Sequence, residues 1–165
     1  MNAYETFETP LGPFTVVVRH DGAVVAAAFG EVDAMRHLTG PGELTQDASV
    51  TAGVRRQVEA YFAGQRTAFD LPFAEPPTDF VRRYREEMAT LGFGQMTTYG
   101  ELARRLGTSA RAMGRANATN PLCIIVPCHR VIGANGALTG YAYGLDIKRR
   151  LLEHEGAMVR QPVLV

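Results

Sequence analysis

Short apolar runs separated by turn-forming residues open the chain, a pattern typical of an antiparallel sheet. Phe14–Val18 and Val24–Phe29 are rich in β-branched and apolar residues, and Asp21-Gly22 lies between them. An Asp-Gly pair between two such runs favours a β-hairpin. Thr9–Pro13 supplies an earlier turn, and Tyr4–Phe7 predicts a further strand at the edge of the sheet.

The hydrophobic period then changes from that of strands to that of a helix. Val54, Val58, Tyr61 and Phe62 fall on one helical face, which needs the sheet to cover it. Earlier, Asp33 predicts the N-cap of a short helix. These elements predict an α/β N-terminal domain that serves as scaffold, since no group of chemically reactive residues occurs in it.

Three prolines, Pro72, Pro76 and Pro77, interrupt a stretch without sustained periodicity and predict a domain boundary. The two predicted domains are residues 1–74 and residues 75–165. Beyond this boundary, a helix capped by Thr78 is predicted from four apolar residues at helical spacing. These residues are Phe80, Tyr84, Met88 and Leu91. Arg82, Arg83 and Arg85 lie off that stripe, and we interpret them as the solvated face of the helix.

Two short helices joined by a glycine-containing turn are predicted next. Thr98 and Glu101 form a capping-box pattern, Gly107 marks the turn, and Ser109 can cap the second helix through Ala118. The second helix carries the small residues Ala110, Gly114 and Ala118 beside Arg111 and Arg115. Such a face can approach DNA closely or pack against another helix, and the pattern alone leaves both open.

Composition limits the classes of partner. The 165 residues are 46% apolar, and 17 basic residues balance 17 acidic ones, so a nucleic-acid surface requires local clustering of arginines. Cys123 and Cys128 are too few for a disulfide framework and fit a reducing compartment. No zinc-binding spacing, signal peptide or membrane-spanning run is present. We therefore expect a soluble cytoplasmic protein without a metal or other cofactor.

The strongest chemical signal is the pair Cys128 and His129 within the apolar segment Ile124–Ile132. A thiol becomes a nucleophile when it loses its proton, and nearby cationic or proton-accepting groups favour that loss. A final helix, expected to be capped by Asp146 and to turn Ile147 and Leu151 inward, places Glu155 beside its apolar stripe. We expect that carboxylate to pair with His129.

Thiol, imidazole and carboxylate together would equally suit a thiol hydrolase. Neighbouring residues of an extended segment point to opposite faces, so Cys128 and His129 cannot easily bond directly. A bridging water would complete a proton path from Cys128 through His129 to Glu155.

The string Pro127–Val131, with Asn120-Pro121 before it and Gly140-Tyr141 after it, resembles the O6-alkylguanine-DNA alkyltransferase family. The resemblance implies a ribonuclease H-like α/β N-terminal domain and a mainly helical C-terminal domain with a winged-helix-like helix-turn-helix. It also implies single-turnover repair, in which the thiolate permanently takes the alkyl group from O6-alkylguanine, and also from O4-alkylthymine, in duplex DNA.

The resemblance assigns further roles by position. It implies that Arg111 and Tyr99 act in base flipping and that Asn120 is a structural hinge. It places Ser109, Ala110, Gly114 and Asn117 in the DNA minor groove, and Val131, Tyr141, Ala142 and Tyr143 around the guanine pocket. Thr98 and Arg115 are expected as further DNA-binding residues. A monomer is implied, with cooperativity along DNA left open.

Several positions depart from the family pattern. Many relatives have tryptophan at the position of Tyr84 and Pro-x-Gly at Gly92–Gly94. Many also carry a hydroxyl residue and then glycine where this chain has Ala142 and Tyr143, so side-chain hydrogen bonding to guanine O6 is absent at residue 142. Cys123, at a pocket-wall position of relatives, is interpreted as a small buried filler. A lesion-binding sensor without transfer and a Cys-His hydrolase remain the alternative functions.

Overall fold

The computed structural model describes residues 2–159. The chain forms two compact units, and the division does not follow chain order. Among the described residues, the first contains residues 2–79 together with Asn120–Val126, and the second contains Phe80–Thr119 together with residues 127–159. Within residues 2–159, no helix combines the length and apolar character needed to cross a bilayer.

The first unit is built on a four-stranded sheet. Strands β1 (Asn2–Thr9), β2 (Gly12–Val18) and β3 (Val24–Phe29) are antiparallel neighbours, as the hairpin pattern predicts. A fourth strand, β4 (Leu44–Gln46), pairs in parallel with the start of β1, giving the order β3-β2-β1-β4. The prediction that β1 is an edge strand was therefore wrong, because β4 is too short to give a periodic signal.

The outer edge of β3 is covered by two segments that are distant in sequence. The Val24 amide donates to Pro72 O, and the Ala74 amide donates to Val24 O. Farther along the strand, the Ala27 amide donates to Pro121 O, and the Cys123 amide donates to Ala27 O at 2.9 Å. These bonds satisfy backbone groups that an edge strand would otherwise leave open.

Helix α2 (Ala48–Phe62) packs on β1 and β2 through Val54, Val58 and Tyr61, as its periodicity predicts. Asp47 caps it by accepting from the Ser49 amide at 3.0 Å. Before it lie a 3₁₀ turn (Val32–Met35) and the one-turn helix α1 (Arg36–Thr39).

Asp33 does not cap the 3₁₀ turn, contrary to the prediction. Glu31 holds the N-cap position without a side-chain bond, and Asp33 lies inside the turn. The turn starts earlier than the acidic residue suggests, so this aspartate contributes only negative charge near the first amides.

The second unit is mainly helical. Its helices are α3 (Asp79–Ala89), α4 (Tyr99–Leu106), α5 (Ala110–Ala118) and α6 (Leu145–His154). Two-residue strands β5 (Thr97–Thr98) and β6 (Val131–Ile132) pair in parallel. 3₁₀ turns cover Cys128–Arg130 and Ala134–Gly136. The α/β N-terminal part and helical C-terminal part match the fold class predicted from the sequence.

Helices α4 and α5 form the predicted helix-turn-helix. Thr98 Oγ1 accepts from the Glu101 amide, and Ser109 Oγ accepts from the Ala112 amide, each at 3.1 Å. Gly107 ends α4 with φ of 65°, a left-handed conformation that glycine adopts without a Cβ clash. Both caps and the turn were therefore correctly predicted.

Helix α6 differs from its prediction at two positions. Its N-cap is Gly144, with φ of 98°, and Asp146 lies within the first turn. Ile147 is only half-buried, whereas Lys148 is fully buried together with Leu151 and Leu152. The buried stripe is thus rotated by one residue from the one we predicted.

Candidate active site

Cys128 lies at the start of a 3₁₀ turn rather than in the extended segment that its β-branched flanks predict. The Arg130 amide donates to Pro127 O at 3.0 Å, and the Val131 amide donates to Cys128 O. The residue is 4% exposed. The expectation that Cys128 and His129 point to opposite faces of a strand therefore loses its geometric basis.

The segment that leads to this turn belongs to the first unit and is closed on itself by Asn120. Asn120 Nδ2 donates to Val126 O at 3.0 Å, and the Leu122 amide donates to Asn120 Oδ1 at 3.1 Å. Within this loop Ile124 has φ of 71°, which is strained for a β-branched residue. The amide of Asn120 thus binds nearby backbone groups, as its position before proline predicts.

His129 and Glu155 form the pair expected from the sequence. His129 Nε2 lies 2.8 Å from Glu155 Oε2, and neither side chain is exposed to solvent. Glu155 follows the last turn of α6 and is placed at the site by the buried stripe of that helix.

Arg130 binds the same carboxylate in a bidentate manner. Its Nε donates to Glu155 Oε1 at 2.8 Å, and its Nη2 donates to Glu155 Oε2 at 2.9 Å. Its Nη1 donates to Leu91 O at 2.6 Å. The planar guanidinium is suited to this double contact, and it supplies the positive charge that a buried carboxylate requires.

These contacts define the protonation states of the pair. Burial alone raises the pKa of Glu155, but hydrogen bonds from His129 and Arg130 hold it well below its ordinary value of 4.5, so the carboxylate is ionised. Burial lowers the pKa of His129 below 6.5 despite the bond to Glu155, so the imidazole is neutral at pH 7. An ionised Glu155 can only accept, so the ring proton lies on Nε2.

The other ring nitrogen is therefore a hydrogen-bond acceptor. His129 Nδ1 is buried and has no hydrogen-bond partner among the described residues. A buried lone pair without a partner is uncommon in folded proteins. On the imidazole next to a buried thiol, it has the chemistry of a general base.

Asn117 connects helix α5 to the cysteine turn. Its Nδ2 donates to Cys128 O at 3.1 Å, and its Oδ1 accepts from the Tyr84 hydroxyl. The resemblance places Asn117 at DNA, whereas in the structure both groups of its amide are engaged inside the second unit. The contact that fixes the Cys128 backbone could not be recognised from spacing alone.

The loop predicted to line the guanine pocket lies at the start of α6. The Tyr99 hydroxyl lies 3.3 Å from Thr139 O and 3.4 Å from Gly140 O. Tyr141 and Tyr143 pack edge to face, with ring centroids 5.5 Å apart. Val131 is buried, both tyrosines are half-buried and Ala142 is exposed.

The predicted DNA-binding residues lie on α5 or at the N-termini of α4 and α5. Arg111, Arg115, Ser109 and Ala110 are exposed, and Thr98 and Gly114 are half-buried. A Cβ added to Gly114 would meet no atom within 4 Å. The small-residue face is therefore not explained by close packing of another helix at this glycine.

Sequence reasoning missed Lys148, which lies in the second unit with Cys128 and His129. Its side chain is fully buried, and its Nζ donates to Thr139 O at 2.9 Å. The signal was present, because Lys148, Leu151, Leu152 and Glu155 follow the i, i+3, i+4, i+7 spacing of one helical face. We predicted Ile147 inward instead, and burial of a lysine is rare.

The class of protein follows from two family models that together cover nearly all of the chain. Residues 2–74 match the ribonuclease-like domain of 6-O-methylguanine DNA methyltransferase, and residues 79–157 match its DNA-binding domain.

Individual relatives agree with this class. A methylated-DNA–protein-cysteine methyltransferase of Methanosarcina acetivorans is 40% identical over 93% of this chain and 98% of its own. A crystal structure of Mycobacterium tuberculosis OGT in complex with DNA is 40% identical, with a TM-score of 0.82 over 94% of this chain and 93% of that one. A methyltransferase of the archaeon Pyrococcus kodakaraensis is 26% identical, with a TM-score of 0.68. The chain belongs to the methylated-DNA–protein-cysteine methyltransferase family, whose members repair DNA by alkyl transfer.

Proposed function

We propose that Cys128 is the alkyl acceptor, that His129 is its general base and that Glu155 orients and polarises His129. One observation carries the proposal. His129 bonds Glu155 through Nε2 and keeps its Nδ1 lone pair buried, without a partner among residues 2–159, beside the cysteine turn. The imidazole is thus held in the tautomer that can take a proton.

The reaction is a single displacement. The Cys128 proton passes to His129 Nδ1, directly or through one water, and the thiolate attacks the alkyl carbon on guanine O6. The S–C bond forms as the C–O6 bond breaks, and the electron pair stays on the guanine, which takes up one proton. The thioether carries no acyl carbon for water to attack, so the acceptor is consumed.

The acceptor is tested by mass. The protein is incubated with duplex DNA containing one O6-methylguanine, and intact and peptide masses are measured. We expect a stoichiometric gain of one methyl group on the Cys128 peptide, lost in Cys128→Ser and retained in the matched control Cys123→Ala. Methyl on another residue would overturn the assignment, unchanged mass with binding would indicate a lesion sensor, and repeated turnover would indicate a hydrolase.

We further propose that α5 enters the DNA minor groove with its small-residue face. The space beside Gly114 supports this, because small residues let a helix backbone approach a groove closely. Exposed Arg115 and the hydroxyls of Thr98 and Ser109 are suited to bind phosphates.

Gly114→Leu separates groove binding from folding. A Cβ at this position meets no atom within 4 Å, and leucine favours a helix over glycine, so thermal stability should not fall. Duplex binding should weaken at least about tenfold, because the side chain would occupy the proposed contact surface. Transfer from free O6-benzylguanine should be unchanged, and unaltered duplex affinity would refute the groove assignment.

Arg111 is proposed to fill the space that a flipped guanine leaves in the base stack, with Tyr99 crowding the adjacent phosphate. A base inside a duplex cannot reach a buried thiol, so extrusion is required. Arg111→Ala should slow duplex repair far more than reaction with free O6-benzylguanine. The exposed Arg104→Ala on α4 is the matched control. Equal losses with both substrates would remove the flipping role.

The remaining roles follow the same reasoning. Val131, Tyr141, Ala142 and Tyr143 line the base pocket, where backbone amides replace the missing hydroxyl at Ala142, and Asn120 acts as the hinge before the cysteine turn. The protein works as a monomer in the cytoplasm, and residues 1–74 serve as scaffold for the DNA-binding and alkyl-acceptor domain, residues 75–165.

A further inference from the structure

Lys148 is a buried cation that the reaction proposed above does not use. Its side chain is fully enclosed, and its Nζ donates to Thr139 O at 2.9 Å and Gly140 O at 3.3 Å. The ammonium also lies 5.7 Å from the centroid of the Tyr99 ring. Among residues 2–159, no carboxylate forms an ion pair with it.

Burying an ammonium without a carboxylate is costly, so the surroundings must favour the charge in another way. Two carbonyl dipoles and an aromatic face provide part of that stabilisation. Helix α6, which carries Lys148, packs against the 3₁₀ turn Cys128–Arg130. The ionisable groups near the ammonium are therefore Cys128 and His129 of that turn, together with the Tyr99 ring. Because His129 is neutral and the carboxylate of Glu155 is already paired with Arg130, the thiolate of Cys128 is the negative charge available to balance the lysine.

We propose that Lys148 is a positioning residue with two linked tasks: it anchors the Thr139–Gly140 backbone, and its positive charge stabilises the thiolate of Cys128. This deepens the proposed function, since it assumes that Cys128 reacts as a thiolate. The lysine does not touch the alkyl group, and it acts through the sulfur and the loop.

The electrostatics are reciprocal. Burial lowers the pKa of Lys148 to about 8, and a negative Cys128 opposes that decrease. By linkage, whatever the thiolate does for the lysine cation, the cation does equally for the thiolate. The cation also lowers the pKa of His129, which helps to keep the imidazole neutral. The charge that favours the nucleophile thus also keeps its base unprotonated.

Lys148 contacts the same two carbonyl oxygens as Tyr99, which we propose to act at the DNA. Lys148 Nζ and the Tyr99 hydroxyl both point to Thr139 O and Gly140 O. The lysine therefore holds the loop that follows β6 close to α4. The position of the loop depends on the buried face of α6, which carries Lys148. Loss of the lysine would loosen the loop as well as remove the charge, so the two effects must be separated.

A pH profile separates them. The rate of Cys128 alkylation by iodoacetamide, read from the Cys128 peptide mass, is measured from pH 5.5 to 10 in Lys148→Met, Lys148→Arg and Arg150→Met. Arg150→Met removes an exposed cation from the same helix and is the matched control.

In Lys148→Met, loss of the cation should move the midpoint of the profile to higher pH by about one unit, a roughly tenfold slower reaction on the acidic limb. The rate should recover near pH 10. Lys148→Arg should restore the acidic limb, and Arg150→Met should match the native profile. A loss in Lys148→Met that is equal at every pH would show loop anchoring alone and overturn the electrostatic task.

A second measurement uses the native chain. The ε-methylene carbon of Lys148 is titrated by NMR before and after stoichiometric methylation of Cys128. Methylation removes the negative charge, so the lysine should titrate at lower pH afterwards, and an unchanged titration would overturn the proposal. Failure here would leave the acceptor assignment intact, because that assignment is tested separately by the methyl mass on Cys128.

Discussion

Replacing Glu155 by glutamine should show that Arg130 and Glu155 are stable only as a pair. The substitution keeps the shape of the side chain but removes the charge that receives two bonds from Arg130, at 2.8 and 2.9 Å. Arg130 is 6% exposed, so its cation would remain buried without an anion. Breaking a buried pair in this way costs about 3–5 kcal/mol.

The double variant Arg130→Met/Glu155→Gln removes the unbalanced charge. Arg130→Met alone should also cost about 3–5 kcal/mol, since Glu155 would keep only His129 as a partner. In the double variant the main loss is the bond to Leu91 O, about 1–3 kcal/mol for an unsatisfied buried acceptor. The double variant should therefore be more stable than either single variant.

Urea unfolding at pH 7, followed by circular dichroism, measures all four proteins of this cycle. We expect a coupling free energy of about 3 kcal/mol, at the upper end of the range for directly bonded groups. Additivity to within about 0.5 kcal/mol would refute the claim that the two charges compensate each other. Methyl transfer should be slower in the double variant than in the native protein, even though stability is partly recovered, because His129 would lose the anion that orients it.

Three further outcomes are expected. Lys148→Met should leave the free energy of unfolding at pH 7 within about 1 kcal/mol of the native value while slowing Cys128, because relief of the burial that lowers the lysine pKa to about 8 is offset by leaving Thr139 O and Gly140 O without their donor; a loss above about 3 kcal/mol in urea would contradict this. Stability should fall as the pH decreases below 6.5 and again below 4.5, because folding lowers the pKa of His129 below the first value and the pKa of Glu155 below the second. Thermal melting of Glu155→Gln should no longer show the decrease in stability below pH 4.5. Asn120→Ala should cost about 1–3 kcal/mol, because the Val126 carbonyl and the Leu122 amide lose their partner, and an unchanged melting temperature would show that another group replaces it.

Local signals predicted the local structure well. The Asp-Gly hairpin and the caps at Thr98 and Ser109 depend on interactions within a few residues, so the local sequence contains nearly all the information. The contact between His129 and Glu155 was also predictable, because a carboxylate on an apolar helical stripe requires a buried partner. The functional roles of these residues stay predictions until they are tested.

Long-range contacts were less accessible to sequence reasoning. Strand β4 spans only Leu44–Gln46 and forms because β1 offers it a partner. The β-branched flanks of Cys128 favour a strand, yet the fold bends the chain into a 3₁₀ turn there. Lys148 is buried because carbonyl groups from another segment meet its ammonium, and residue propensities alone argue against that.

The covered edge of β3 has a consequence for how the chain matures on the ribosome. Its last two main-chain bonds come from Pro121 and Cys123, nearly fifty residues beyond the Pro72–Ala74 segment. A nascent chain that has been synthesised only to residue 74 would lack this cover and expose part of a bare strand. Translation must therefore continue past the helix-turn-helix before the edge of β3 has all its main-chain hydrogen bonds. Fragments that end at the domain boundary should be prone to self-association through this edge.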